Sequence, residues 1–279
     1  MTRTAAAATE PGRARARNRA ALAAGALAGG LALCSCSGSG GGVSVAADPV
    51  AAVRSAGSAS MKLDSAQVAT SVTLTTDGKS DQFSGTGAFS FARQVGSITL
   101  TVPPDVSSHG TLDEIITPST LYMRPGGSTG KWVLVDADKL ADGDLISAGY
   151  TSPILAFALL GGAGAAGDSV HYVGQDKVYD VAVAHYSGTL DLDTAAASAP
   201  APVNAALTAA SHSFSSRAVP FDVYLDAQGQ VLRFVAHFQS PATAPQKGTV
   251  SIVSSTDLYS LDKPVTVATP DPSDVVRTN

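Results

Sequence analysis

From residue 48 onward, hydrophobic positions repeat first at helical spacing and then with a period of two. Asp48-Pro49 supplies an N-cap and a first helical residue, and Val50, Val53 and Ala56 follow at helical intervals, which predicts a short opening helix. Beyond it, Val72 and Leu74 alternate with threonines, and Phe83, Gly85, Gly87, Phe89 and Phe91 alternate with small or polar residues. Ile98, Leu100 and Val102 do the same with Thr99 and Thr101. Alternation of this kind turns one face to a core and the other to water, the pattern of half-buried antiparallel strands. The glycines on the Phe face predict a bend or the close approach of another element.

Strand patterns continue through Leu112 to Ile116, Leu121 to Arg124 and Trp132 to Val135, separated by Pro103-Pro104, Pro118 and Pro125-Gly126-Gly127. Ser152-Pro153 then opens a helix whose Ile154, Leu155, Phe157, Leu159 and Leu160 make nearly every face apolar before Gly161-Gly162 ends it. Such a helix is buried or covers something apolar. Strands resume over Ser169 to Val173 and Val178 to Leu192. A helical patch follows from Asp193 to His212, interrupted by Pro200 and Pro202. Val219 to Leu225, an Asp226-Ala227-Gln228-Gly229 turn and Val231 to Gln239 make a hairpin, and Val250 to Tyr259 adds a last long strand. About ten strands against three or four short helices exclude a βαβ architecture and predict an α+β fold on an antiparallel sheet.

Composition narrows the function classes. The chain has 279 residues, 44% hydrophobic and 15% charged, so it buries enough apolar surface to fold. A net charge of −5 offers no polycationic surface, and nucleic acid is excluded as an expected partner. Two cysteines two positions apart cannot staple distant segments.

The charge is unevenly placed. Residues 1–35 hold Arg3, Arg13, Arg15, Arg17 and Arg19 against Glu10 alone, followed by an apolar run from Ala20 to Leu33. That run is shorter than the ~20 residues that span a bilayer, and it reads as a signal peptide. Its end, Leu33-Cys34-Ser35-Cys36, resembles the bacterial lipobox, in which a cysteine just after the cut carries diacylglycerol. Cutting before Cys36 puts small Ser35 at −1, whereas cutting before Cys34 puts bulky Leu33 there, so Cys36 is the expected lipid anchor and Cys34 the alternative. Residues 36–47 form a Ser/Gly-rich tether, with Ser37 to Gly42 reaching roughly 15 Å. Two acyl chains hold a protein on a membrane stably, so the expected location is the outer face of the cell membrane. Loss of residues 1–35 removes five of the 18 basic and one of the 23 acidic side chains, leaving a domain of residues 48–279 that is clearly acidic.

Several motifs imitate chemistry. Gly162-Ala163-Gly164-Ala165-Ala166-Gly167 matches a dinucleotide fingerprint in letters but leaves a helix and enters a strand, the reverse of the required context. Gly126-Gly127-Ser128-Thr129-Gly130-Lys131-Trp132 lacks the P-loop spacing and reads as a hairpin loop. His109, His171, His185, His212 and His237 are scattered, with His185 on the polar face of its strand. In the acidic cluster of Asp136, Asp138, Asp142 and Asp144, Leu140 sits where an EF-hand needs an oxygen ligand. With no metal-ligand spacing, the expectation is a binding protein without catalytic residues, metal or cofactor.

The segments, in order, resemble the LppX/LprAFG lipoproteins, which have a LolA-like fold. The likeness rests on the opening helix, Gly87-Ala88-Phe89-Ser90-Phe91, Leu121-Tyr122-Met123, Gly130-Lys131-Trp132-Val133 and Ser152-Pro153-Ile154-Leu155. It continues in His185 to Leu192, Phe221 to Asp226 and Pro264-Val265-Thr266-Val267. The resemblance implies a strongly curved antiparallel sheet, a half-barrel whose concave face is covered by short helices. It also implies an apolar cavity holding an acylated lipid or glycolipid for transport through the envelope, with a lipid exporter as a further partner and a monomeric state. The candidate lining is Phe89, Phe91, Leu100, Trp132, Ile154, Leu155, Phe157, Leu159 and Phe221. Folds of this kind also include envelope sensors that bind a partner protein without lipid cargo.

Overall fold

The computed structural model describes residues 43–104, 108–118, 120–136, 152–165, 167, 170–201, 203–242 and 248–277. The leader, both cysteines, the tether before Val43 and the acidic residues Asp138, Asp142 and Asp144 lie outside them.

Twelve strands form one open, curved sheet. The first meander comprises β1 (Ser65–Thr76), β2 (Lys79–Ser90), β3 (Val95–Thr101), β4 (Thr111–Ile116), β5 (Thr120–Pro125) and β6 (Trp132–Asp136). The second comprises β7 (His171–Val178), β8 (Val181–Asp191), β9 (Ala218–Leu225), β10 (Val231–Pro241) and β11 (Thr249–Tyr259). Each pairs antiparallel with its sequence neighbours, and the two meanders join where β1 pairs β11. A short β12 (Val275–Arg277) lies parallel to β6 at the far edge. The sequence pattern did not predict β12, because three residues are too few to show a period.

Among the described residues, four short helices pack on the concave face: α1 (Pro49–Ser60), α2 (Pro153–Leu159), α3 (Leu192–Ser198) and α4 (Val203–Ser213). The Asp48 carboxylate caps α1 by accepting from the Ala51 N–H at 3.0 Å, satisfying one of the donors that a helix start leaves open. Val53, Ala56, Gly57 and Ser60 make its buried stripe. Ser60 Oγ accepts from the Val231 N–H at 2.8 Å, tying α1 to β10. Gly57 lets α1 approach α2 at backbone distance, since a Cβ there would collide with the Phe157 carbonyl. In α2, Pro153, Ile154, Ala156, Phe157, Ala158 and Leu159 are all buried, as an all-apolar helix requires. Asp191 caps α3 by accepting from the Thr194 N–H at 2.7 Å.

Register decides which side chains face the helices. Val68 pairs Gly87, Gly87 pairs Ile98, Ile98 pairs Glu114, Glu114 pairs Met123 and Met123 pairs Val133. Directly paired residues share a face, so this row runs across the concave side. The room over Gly85 is taken by Leu100 and Ile98 leaning in from β3. On the convex side, the segment from Leu261 to Arg277 lays Val265 and Val267 over Val95, Ile115 and Trp132 as a second, smaller core.

The β7–β8 connection differs from the sequence reading, which broke the strand between Val173 and Val178. The hairpin turns instead at Tyr179-Asp180, both with positive φ (48° and 67°). Two such residues match the twist of a two-residue hairpin, but without Gly or Asn they leave no signature.

Candidate functional site

The concave face carries one continuous apolar cluster whose centre is closed and whose margin is less so. Under the helices, on β8 to β11, Tyr186, Leu190, Phe221, Val223, Phe234, Phe238 and Ile252 are all buried, none more than 2% exposed. Phe91 stacks on Phe157 of α2 at 6.2 Å, and Phe89 meets Phe91 at 5.0 Å. The margin of the cluster is different. Leu74 at the end of β1, Phe83, Leu112, Met123, Val135 and Leu155 of α2 are only partly buried while packing against the same core. Four of these six belong to β2, β4, β5 and β6. Apolar side chains that keep contact with water on a concave surface are the ordinary lining of a ligand site.

Of the lining expected from sequence, Phe89, Phe91, Leu100, Ile154, Phe157, Leu159 and Phe221 are buried in this cluster, and Leu155 lies on its margin. Trp132 is elsewhere. Met123 pairs Val133, so Val133 takes the concave side and Trp132 projects from the convex one, where it packs with Val95, Ile115 and Val267 under the Arg124 guanidinium at 4.2 Å. Leu74, Phe83, Leu112, Met123 and Val135 were not singled out from sequence. Their alternation was visible, but which part of the sheet the helices leave open was not.

Glu114 is fully buried on the concave face, between Ile98 and Met123 in neighbouring strands. A carboxylate there interrupts an otherwise apolar row, and its desolvation is expensive unless something compensates it.

The convex face collects polar groups that the sequence left scattered. His185 Nε2 donates to Asp222 Oδ1 at 2.7 Å, and His237 Nε2 stands 4.0 Å from Asp222 Oδ2. The His185 ring stacks on Tyr224 at 4.3 Å. Arg233 donates to both Asp257 oxygens, at 2.8 and 2.6 Å. These bonds raise the Arg233 pKa above its ordinary value. Burial, reinforced by neighbouring carboxylates, pushes the Tyr179 and Tyr224 phenols up. Among the described residues, no group of three or more His, Cys, Asp or Glu is placed to hold a metal ion. No described helix is long and apolar enough to cross a membrane.

Fold and interior together define an open antiparallel sheet with short helices over an apolar concave face. Three solved structures to which the chain is similar are lipoprotein LppX of Mycobacterium tuberculosis, LprF of Mycobacterium bovis and a LolA-superfamily protein of Nitrosomonas europaea. LppX is 14% identical over 79% of this chain and 98% of its own, with a TM-score of 0.48. LprF is 18% identical over 80% and 96%, at 0.42, and the third is 12% identical over 77% and 96%, at 0.32. No protein-family model and no curated protein matches the sequence.

Proposed function

We propose that the protein is an extracytoplasmic lipoprotein, anchored through Cys36, that binds an acylated lipid or glycolipid against its concave face and carries it through the envelope. The observation that carries this reading is the partly buried apolar margin of Leu74, Phe83, Leu112, Met123, Val135 and Leu155. Burying such surface against an acyl chain contributes about 0.8 kcal/mol per CH₂, so a chain of ordinary length supplies ample affinity. The leader, the lipobox-like cysteines and the Ser/Gly tether support the anchor, which keeps the domain within a short reach of the lipid source. A lipid exporter is the partner this role calls for.

The test is mass spectrometry of organic extracts from residues 37–279 purified without detergent. A stoichiometric acylated lipid is expected. Recovery of none, with no uptake of acylated glycolipid from vesicles, overturns the reading and favours a sensor that binds an envelope protein. Replacing Cys34 and Cys36 together by Ser should release the full chain from membranes, as should Cys36→Ser alone; release by Cys34→Ser alone would move the anchor to Cys34.

A further inference from the structure

A second site lies on the face opposite the proposed lipid surface. A cleft of about 600 Å³ opens there, lined by His171, Ser187, Thr189, Pro220, Asp222 and His237 among others. Register brings these residues together from three parts of the chain: His171 pairs Ser187, Ser187 pairs Asp222 and Thr189 pairs Pro220.

The centre of the cleft is a carboxylate held in one orientation. His185, its side chain only 17% exposed, holds Asp222 Oδ1 at 2.7 Å. Stacking on Tyr224 at an interplanar angle of 10° fixes that imidazole in turn. Asp222 Oδ2 is left facing His237 Nε2 across 4.0 Å. That gap is too long for a hydrogen bond, yet one hydroxyl oxygen spans it with two bonds of about 2.8 Å meeting near a right angle. The hydroxyl donates to Asp222 and accepts from the His237 N–H.

The chemistry of the lining selects the ligand. Among the described residues the lining holds no Lys or Arg, and the Asp222 carboxylate repels anions, which disfavours a phosphate or sulfate. An ammonium ion only donates, so it would leave the His237 donor unanswered. A hydroxyl does both. The Ser187 hydroxyl adds a further donor and acceptor beside it, and the Pro220 ring offers an apolar surface to C–H groups. The cleft falls in the size range of small-molecule sites and far exceeds one water. We infer that the cleft around Asp222 and His237 is a binding site for a neutral, hydroxyl-rich ligand, a mono- or disaccharide unit.

Saturation-transfer NMR tests this on the full chain in a zwitterionic detergent, with neutral hexoses, pentoses and their disaccharides as probes and a sulfated disaccharide as the anionic comparator. Saturation of at least one neutral sugar is expected. Asp222→Asn should weaken its binding at least about tenfold, since the charge-assisted bond is lost. His237→Gln, at an exposed ring, should weaken it without unfolding the sheet, which circular dichroism checks. Both variants should still yield the lipid recovered from the unaltered chain, so that failure here and failure of the lipid reading stay distinguishable. No saturation of any neutral sugar, equal saturation in both variants, or preference for the sulfated comparator overturns the inference.

Discussion

The two meanders are built from similar alternating strands, yet their concave faces end up in different states. Over β8 to β11, helices α1 to α4 cover Phe221, Phe234 and Phe238, and the layer is closed to water. Over β2 to β6, Phe89, Ile98, Leu100, Ile116 and Leu121 are buried likewise, while Phe83, Leu112, Met123 and Val135 at the margin carry the same chemistry with less cover. The lesson is that an apolar strand face does not by itself distinguish a core from a binding surface. What lies above it does.

Substitutions can separate the two states. Phe157→Ala, in the closed half, should cost about 3–5 kcal/mol in chemical denaturation, because the surrounding helices relax only partly into the space. Gly57→Ala should cost about 1–3 kcal/mol by driving a methyl group against the Phe157 carbonyl and prising α1 from α2. Met123→Ala, in the open half, should cost only about 1 kcal/mol while clearly lowering the lipid recovered by extraction. Equal stability losses for Phe157→Ala and Met123→Ala would remove the distinction between the halves.

The smallest effect concerns the convex face. Tyr179 and Tyr224 hold their protons more tightly when folded, through burial first and then through Asp257 and Asp222 respectively. A raised phenol pKa contributes stability that is present below the ordinary phenol range and lost as pH rises through the folded value. Tyr179→Phe should therefore slightly flatten the decline of stability above about pH 10 in pH-dependent melts.

Much of the fold was legible in local chemistry. Asp48-Pro49 and Ser152-Pro153 marked the starts of α1 and α2, and the alternation from Val72 to Val102 gave strands whose apolar sides do share a face. Trp132 shows where this stops. The run Trp132-Val133-Leu134-Val135 is apolar at every position because both sides of β6 are covered, by the concave cluster and by the strap carrying Val265 and Val267. With no polar face to break the tie, the direction of Trp132 depended on its register with β5, which only the folded sheet supplies. Gathering His171, His185 and His237 around Asp222 likewise needed the pairing of β7 to β10, strands separated by two helices in the chain.

The seam between the meanders bears on when the protein can fold at all. Thr70 pairs Thr256, so the middle of the sheet is closed by residues almost at opposite ends of the domain. Contacts this distant in sequence are slow to form and leave strand edges unsatisfied until they do. An emerging chain therefore holds at most two unjoined meanders, β1–β6 and β7–β10, until β11 follows. Under the proposed route of export the chain would cross unfolded and its final strands would join the halves outside, so that the proposed lipid surface is assembled only there.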